Sequence, residues 1–362
     1  MSLSDIRDQE VAVRLIRRIL SRGRIPNALL FWGPGGVGKA LTALELAKAL
    51  NCTELDDDAC GACLPCRKVM NGNHPDVKIV TPKAKSRTIP VEDISDVNEI
   101  CSLRPFESEW RTVIFHDAER MNPPAQNHFL KMLEEPPGRT LFILISEFPR
   151  DLLPTIRSRC QLVRFRSLRP ETVLDLLRRE RDLSPDRAEA IAALSLGRMD
   201  RALDLVDTDK RELALQIVAQ LRDGGDPVEL AEEFAKNLET QRKQIEDAID
   251  AELKIDRDNA ADAQDKQALK ELRLAHTAAA IRRAILDYLF LWETWYRDEM
   301  IFAATADTSK ILNRDCLGQL REQVSTAPDQ KIAAVEKARY FLDRFVNEER
   351  VFRDLFFALA AR

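Results

Sequence analysis

The sequence predicts an α/β domain built on a parallel sheet, then a group of short helices, then a long all-helical region. Three observations predict it. Apolar runs of strand length alternate with amphipathic stretches as far as Phe165. A glycine-rich turn joins the first of those runs to a helix. After Phe165 the strand-like runs stop, and from about residue 211 helical texture continues to the end. Strands alternating with helices point to a parallel sheet covered on both faces.

Taken in order, residues 10–20 read as a helix with Val11, Leu15, Ile16 and Ile19 on one face. Ala28 to Trp32 is a short apolar run that enters a Gly/Pro-rich turn, and Leu41 to Leu50 is helical. Residues 51–75 hold a cysteine cluster. Val77 to Val80 reads as a strand and Val91 to Leu103 as a helix. Thr112 to Phe115 is a buried-type strand leading to Asp117. Pro124 to Glu134 is a helix stopped by Pro136 and Pro137. Leu141 to Ile145 is a third apolar strand, and Asp151 to Arg157 a short helix.

Pro170 to Glu180, Asp186 to Leu194 and Met199 to Val206 then read as a compact helical group. Farther on, Ile281, Ile285, Tyr288, Trp292 and Trp295 form a stripe at helical spacing, and Val335, Ala338, Leu342 and Phe345 form another. Such stripes are bundle core before they are cofactor sites. Residues 239–275 are so rich in charge that a solvated, partly mobile helical hairpin is expected.

Composition agrees. At 362 residues the chain exceeds one ordinary domain, and two or three are expected. Only 12 Gly and 6% aromatics argue against a β-rich fold. The formal net charge of −5 lacks the basic excess with which a protein grips DNA unaided, so partners would supply much of that charge. The N-terminal helix mixes acids with bases and has no signal-type apolar core. Apolar runs such as Leu141 to Ile145 are far short of a membrane span, so a cytoplasmic protein is expected.

Two motifs carry chemistry. Cys52, Cys60, Cys63 and Cys66 follow C-x7-C-x2-C-x2-C, with Gly61 easing the turn. Clustering of this kind predicts a closed, structural zinc site with four thiolate ligands rather than a disulfide framework. Cys101, Cys160 and Cys316 stand alone and read as buried thiols. The second motif is Gly33, Pro34, Gly35, Gly36, Val37, Gly38, Lys39 and Ala40, which matches G-x-x-x-x-G-K-[ST] at every fixed position but the last. Loop amides, the Lys39 ammonium and the following helix N-terminus form a phosphate cradle. Ala40 lacks the hydroxyl that would bind Mg²⁺. Asp117 ends an apolar strand where a metal-binding acid belongs, but Ala118 stands where a water-orienting Glu is usual, and Glu119 comes one residue late. Losing both groups removes metal and water positioning, on which phosphoryl transfer depends. Whether Glu119 compensates, and whether nucleotide still binds, stay open.

Further motifs point to a family. Asn127, Leu130, Lys131, Leu133, Glu134, Glu135, Pro136 and Pro137 form N-x-x-L-K-x-L-E-E-P-P, Ser158-Arg159-Cys160 is an S-R-C motif, and Gly197, Asp200, Arg201 and Leu203 have the look of a sensor-2 segment. With Asp8-Gln9-Glu10 and the Asn27 to Phe31 run, they resemble the AAA+ subunits of the bacterial DNA polymerase III clamp loader over about residues 1–206. The motor branch of that family would place Thr at position 40, Glu at 118 and Arg at 200. Ala, Ala and Asp here resemble the delta-prime branch.

The resemblance implies a RecA-like AAA+ P-loop domain over 1–166 with a zinc module at about 51–70, a small helical lid over 167–208, and an all-α collar over 209–362. It implies a hetero-pentamer with gamma/tau and delta subunits, acting on the sliding clamp and, through the assembly, on primed DNA, within a DNA-directed DNA polymerase complex and away from membranes. The nucleotide site, Gly33 to Ala40 with Asp117, would be degenerate, holding ATP or ADP weakly or not at all. Arg159 would act in trans on a neighbour's ATP, although a lone Arg is as readily a partner for a local carboxylate. The alternative is an ATP-hydrolysing motor subunit. A self-sufficient P-loop kinase would leave the S-R-C motif unexplained, and a zinc-dependent nucleic-acid-binding module would make the P-loop vestigial.

Overall fold

The computed structural model describes residues 2–82, 88–257, 263–322, 325, 327–344 and 346–361. The chain divides into two compact units, Met1–Thr172 with Gly197–Asp200, and Val173–Leu196 with Arg201–Arg362.

The first unit contains α1 (Glu10–Ser21), β1 (Ala28–Trp32), α2 (Lys39–Leu50), α3 (Leu64–Met70), β2 (Val77–Val80), α4 (Val91–Ser102), β3 (Arg111–Phe115), α5 (Pro123–Glu134), β4 (Thr140–Ser146), α6 (Pro154–Arg159) and β5 (Gln161–Arg164). All five strands pair in parallel in the order β2-β3-β4-β1-β5. With the P-loop strand between β4 and β5, this is a RecA-like AAA+ sheet. Side chains alternate along each strand. Leu29, Phe31, Ile114, Leu141, Ile143 and Ile145 share a core with Ile16, Leu46 and Val69. Leu30, Val113, Phe115, Phe142 and Leu144 share the other core with Ile94, Phe129 and Ile156. Both faces are therefore covered by helices, as a near-continuous apolar β4 requires.

Two expectations are corrected here. Val11 is 71% exposed, and α1 buries the expected Ile16 and Ile19 together with Ala12 and Leu20. Val11 lies about 140° around the helix from Ile16, which takes it off the core. The strand β5 was not foreseen, because only Val163 of its residues is buried and an edge strand lacks the apolar run of a central one.

The loop 103–110 is braced from below. Asp76, fully buried at its side chain, accepts N–H bonds from Phe106 at 2.7 Å, Glu107 at 2.9 Å and Ser108 at 3.1 Å. Arg111 pairs with Asp76 and donates to the carbonyls of Ile100, Leu103 and Arg104.

The chain continues through α7 (Pro170–Glu180), α8 (Pro185–Leu194), α9 (Met199–Asp207), α10 (Lys210–Arg222), α11 (Pro227–Arg257), α12 (Ala263–Thr305), α13 (Leu317–Glu322), α14 (Pro328–Asp343) and α15 (Glu348–Ala360). Both predicted stripes are buried where described, though Phe345 lies outside the described residues. The expected hairpin takes the form of α11 and α12, with residues 258–262 between them outside the described set. The core of this unit centres on Phe234, whose ring lies 4.9 Å from Tyr288, 5.5 Å from Trp292, 4.8 Å from Phe352 and 5.8 Å from Phe356. These are distances at which aromatic rings attract beyond simple burial. Among the described residues no helix is long and apolar enough to cross a membrane.

Candidate nucleotide and metal sites

The glycine-rich loop leaves β1 at the carboxyl ends of the strands, where open α/β sheets bind ligands. Two of its glycines are required by close approach. A Cβ on Gly33 (φ +145°) would stand 2.3 Å from the Phe165 carbonyl oxygen, and one on Gly36 (φ +62°) 2.2 Å from Asp200 Oδ1. Gly38 N-caps α2, and Val37 is buried. Lys39 Nζ donates to the carbonyls of Gly33 at 2.7 Å and Pro34. Burial lowers the Lys39 pKa, opposed by Glu147, Glu119 and Asp117.

No hydroxyl substitutes at Ala40. Thr42, a half-turn on, spends its Oγ1 on the Gly38 carbonyl at 2.8 Å. At the end of β3, Asp117 is exposed and adopts φ +47°. This left-handed residue turns the chain so that Ala118 is fully buried and Glu119 reaches the neighbouring strand end. Glu119 Oε1 accepts the Glu147 N–H at 3.2 Å, and its Oε2 is buried without a hydrogen-bond partner.

The segment at Gly197–Asp200 returns to the same loop. Met199 N–H donates to the Gly36 carbonyl at 3.1 Å. Arg198 forks onto Asp200 at 2.8 and 3.2 Å and lies 3.7 Å from Glu147. A Cβ on Gly35 would meet Glu147 Oε1 at 2.3 Å and Arg198 Nη2 at 2.4 Å. Around the loop, the carboxylates of Asp117, Glu119, Glu147 and Asp200 outnumber the cations of Lys39 and Arg198.

The cysteines form the second site. The sulfurs of Cys52, Cys60, Cys63 and Cys66 lie within 4.8 Å of one another. A zinc–sulfur distance of about 2.3 Å in a tetrahedron puts sulfurs about 3.8 Å apart, so a slight contraction closes the site. Gly61 at φ +70° makes the turn on which the Cys63 N–H donates to Cys60 Sγ at 3.2 Å. Burial would raise the Cys63 thiol, but N–H groups of Thr53 and Cys66 and the neighbouring thiols bring it down to about 6. Burial and the Cys63 sulfur push Cys66 well up. Four sulfurs this close ionise together only around a cation, so the donor set fits zinc. Of the other cysteines, Cys101 and Cys160 are buried and Cys316 is partly buried.

Arg159 ends α6 on the surface. It pairs with Glu134 at 2.6 Å and donates to the Thr155 carbonyl at 3.1 Å. The local carboxylate partner is thus present, and both side chains are partly open to solvent.

The family described as "DNA polymerase III, delta subunit" matches residues 8–169. DNA polymerase III subunit delta' of Bacillus subtilis is 37% identical over 187 residues, which cover 52% of this chain and 56% of that protein. Over these residues the chain is similar to DNA polymerase III delta' subunits. DNA polymerase III subunit tau of the same organism is 28% identical over 222 residues, 61% of this chain and 35% of that one. The chain therefore spans about half the length of the first relative and about a third of the second. A crystal structure of a gamma-subunit-related protein from Thermotoga maritima aligns with a TM-score of 0.46 at 16% identity, covering 98% of this chain and 99% of that one.

Three residues at these sites lie outside the sequence motifs. Glu147 directly follows β4, and its place at a strand end beside β1 was the available signal. Arg198 was passed over for Asp200. Asp58 is buried and accepts N–H bonds from Leu3 at 2.8 Å and Ala59 at 2.7 Å and a pair from Arg17 at 2.7 Å, tying the cysteine module to α1.

Proposed function

We propose that this chain is a delta-prime-type subunit of a DNA polymerase III clamp loader, with a degenerate ATP site and an arginine given to a neighbour. In this reading residues 1–166 are the AAA+ domain with its zinc module, 167–208 the lid and 209–362 the collar of a hetero-pentamer with gamma/tau and delta subunits. That ring places a sliding clamp on primed DNA.

The observation that carries the reading is the excess of acid around the P-loop, combined with alanine at 40 and 118. A triphosphate brings further negative charge to a loop that already faces Glu119, Glu147 and Asp200. ATP or ADP binding is then weak or absent. Cys52, Cys60, Cys63 and Cys66 would hold zinc, which supplies cross-linking rather than chemistry because protein fills every coordination position.

Arg159 serves the neighbour's site. Its ion pair with Glu134 is exposed, and such pairs are worth roughly 0–1 kcal/mol. The fork is therefore released at little cost to a γ-phosphate, which it neutralises bidentately. An arginine supplied in trans contributes on the order of 10³-fold or more in other NTPases. In a reconstituted ring, Arg159→Ala should lower ATP turnover by the neighbouring motor subunit and clamp loading with it, while Arg157→Ala and Glu134→Gln should not. Wild-type turnover and loading by the Arg159→Ala ring would make this residue structural.

One observation favours a second reading, an active motor. Glu119 brings a buried, unpartnered carboxylate oxygen toward the P-loop. Steady ATP turnover by the purified chain, lost in Glu119→Gln, would establish it.

A further inference from the structure

Residues 11–27 carry five arginines and no acid, in a chain whose formal net charge is −5. Arg17 is spoken for by Asp58. Arg14, Arg18, Arg22 and Arg24 are exposed, and among the described residues none of them has an ion pair. Some exposed arginines of the chain have partners, as in Arg159 with Glu134 and Arg181 with Asp207, and others, such as Arg104, Arg120 and Arg150, have no ion pair among the described residues, so it is the close spacing of these four along one helix and just past its end that sets them apart.

The helix sets these charges in a row. α1 buries Ala12, Ile16, Ile19 and Leu20. Arg14, Arg18 and Arg22 lie on the opposite face at successive i, i+4 positions, a step of about 6 Å. Gly23, at φ +60°, ends the helix, and Arg24 follows directly beyond it. Cations in a last helical turn complement the helix dipole. That accounts for Arg18 and Arg22 but not for Arg14, in the second turn, or Arg24, past the cap. Like charges at i, i+4 also weaken a helix when nothing offsets them. A linear polyanion offsets all four at once.

We infer that the exposed face of α1 is a docking strip for a nucleic-acid phosphate backbone. The choice of nucleic acid as the polyanion rests on the clamp-loader reading. Each guanidinium forks onto phosphate oxygens without reading a base, so the contact is independent of sequence. The rest of the chain carries the acid excess, against which this strip stands out.

The test uses the full chain and a short fluorescent DNA duplex across a salt series. About four phosphate contacts predict a log–log salt slope of roughly −3 to −4, or about a 100-fold loss of affinity between about 50 and 200 mM salt. The variant carrying Arg14→Gln, Arg18→Gln, Arg22→Gln and Arg24→Gln should lose nearly all of that slope. The same four positions changed to Lys should keep most of it, since a phosphate accepts a point charge. All four sites are exposed, so both variants should melt like the wild type. A slope that survives the glutamine changes overturns the proposal, as does a wild type that does not bind DNA. Tighter binding of polyglutamate than of DNA assigns the strip to an acidic protein surface and overturns it too. Co-purification of the glutamine variant with the other ring subunits is scored separately. Failure of wild type and variant alike to assemble counts against the clamp-loader reading and leaves the salt slope to judge the strip.

Discussion

The cysteine module and the P-loop are built by one device, a tight turn with glycine at positive φ that gathers polar atoms to a point. In the module, every group needed for the chemistry is present: four sulfurs within 4.8 Å and N–H donors to hold them. In the P-loop the backbone of the cradle survives, while Ala40 and Ala118 stand where a hydroxyl and a carboxylate would work and acids crowd the loop. The difference teaches that backbone geometry and chemical capability are separable. A glycine loop is kept by packing, since Gly33 and Gly36 are needed wherever Phe165 and Asp200 approach. A thiol cluster has no such second reason to persist.

The largest effect that could break this comparison comes from metal removal. Structural zinc is worth about 10–16 kcal/mol of apparent folding free energy in small zinc domains. Chelation, or Cys60→Ser, should therefore release about one equivalent of zinc and open residues 51–75 to limited proteolysis. An unchanged digestion pattern would mean that thiol contacts alone hold the module.

Next in size is Asp76→Asn, which turns one acceptor of the buried brace into a donor facing N–H groups. The expected loss is about 2–4 kcal/mol in denaturant unfolding. Burial raises the Asp76 pKa, but the N–H groups of Glu107, Phe106 and Ser108 and the charge of Arg111 hold it below the usual carboxylate value. Its contribution is therefore complete above the unfolded carboxylate pKa of about 4 and is lost as pH falls through the lower folded value. The stability gap between wild type and variant should narrow in acid, and a gap that widens there would contradict the assignment.

Asp58→Ala should cost about 1–3 kcal/mol by stranding the Leu3 and Ala59 amides, and should loosen the cysteine module's hold on the N-terminal segment. Amide exchange at Leu3, compared with that at Cys63, reads this directly.

The smallest effect is expected at the P-loop. A ligand at 100 times its Kd stabilises a native state by about 2.7 kcal/mol. Millimolar ATP should shift the thermal midpoint of this chain barely at all. Ala40→Thr with Ala118→Glu should leave turnover at background, because Asp200 and Glu147 still oppose the phosphates. A large ATP shift in the wild type would erase the contrast between the two sites.

What the sequence made legible was local. The spacing of Cys60, Cys63 and Cys66, the glycine pattern of the loop and the apolar runs of β1, β3 and β4 each sit within a few residues. What it hid depended on topology. Glu147 and Arg198 are 51 residues apart, yet both meet Gly35, because β4 lies beside β1 and the chain returns at Gly197. Asp76 and Arg111 are 35 residues apart and meet because β2 pairs with β3. The phase of α1 was misjudged at Val11 for a different reason: Val11 pairs with Leu15 at i, i+4, yet stands about 140° from Ile16, off the stripe that faces the core.

In hydrogen-exchange terms the brace under the loop 103–110 has an odd outcome. Phe106 is 83% exposed and belongs to no helix or strand. Its amide, with those of Glu107 and Ser108, is nonetheless tied to a carboxylate that solvent does not reach. Protection normally follows regular secondary structure. Here an irregular surface loop should exchange its amides as slowly as a sheet does, and Asp76→Asn should return them to the rate of an open coil.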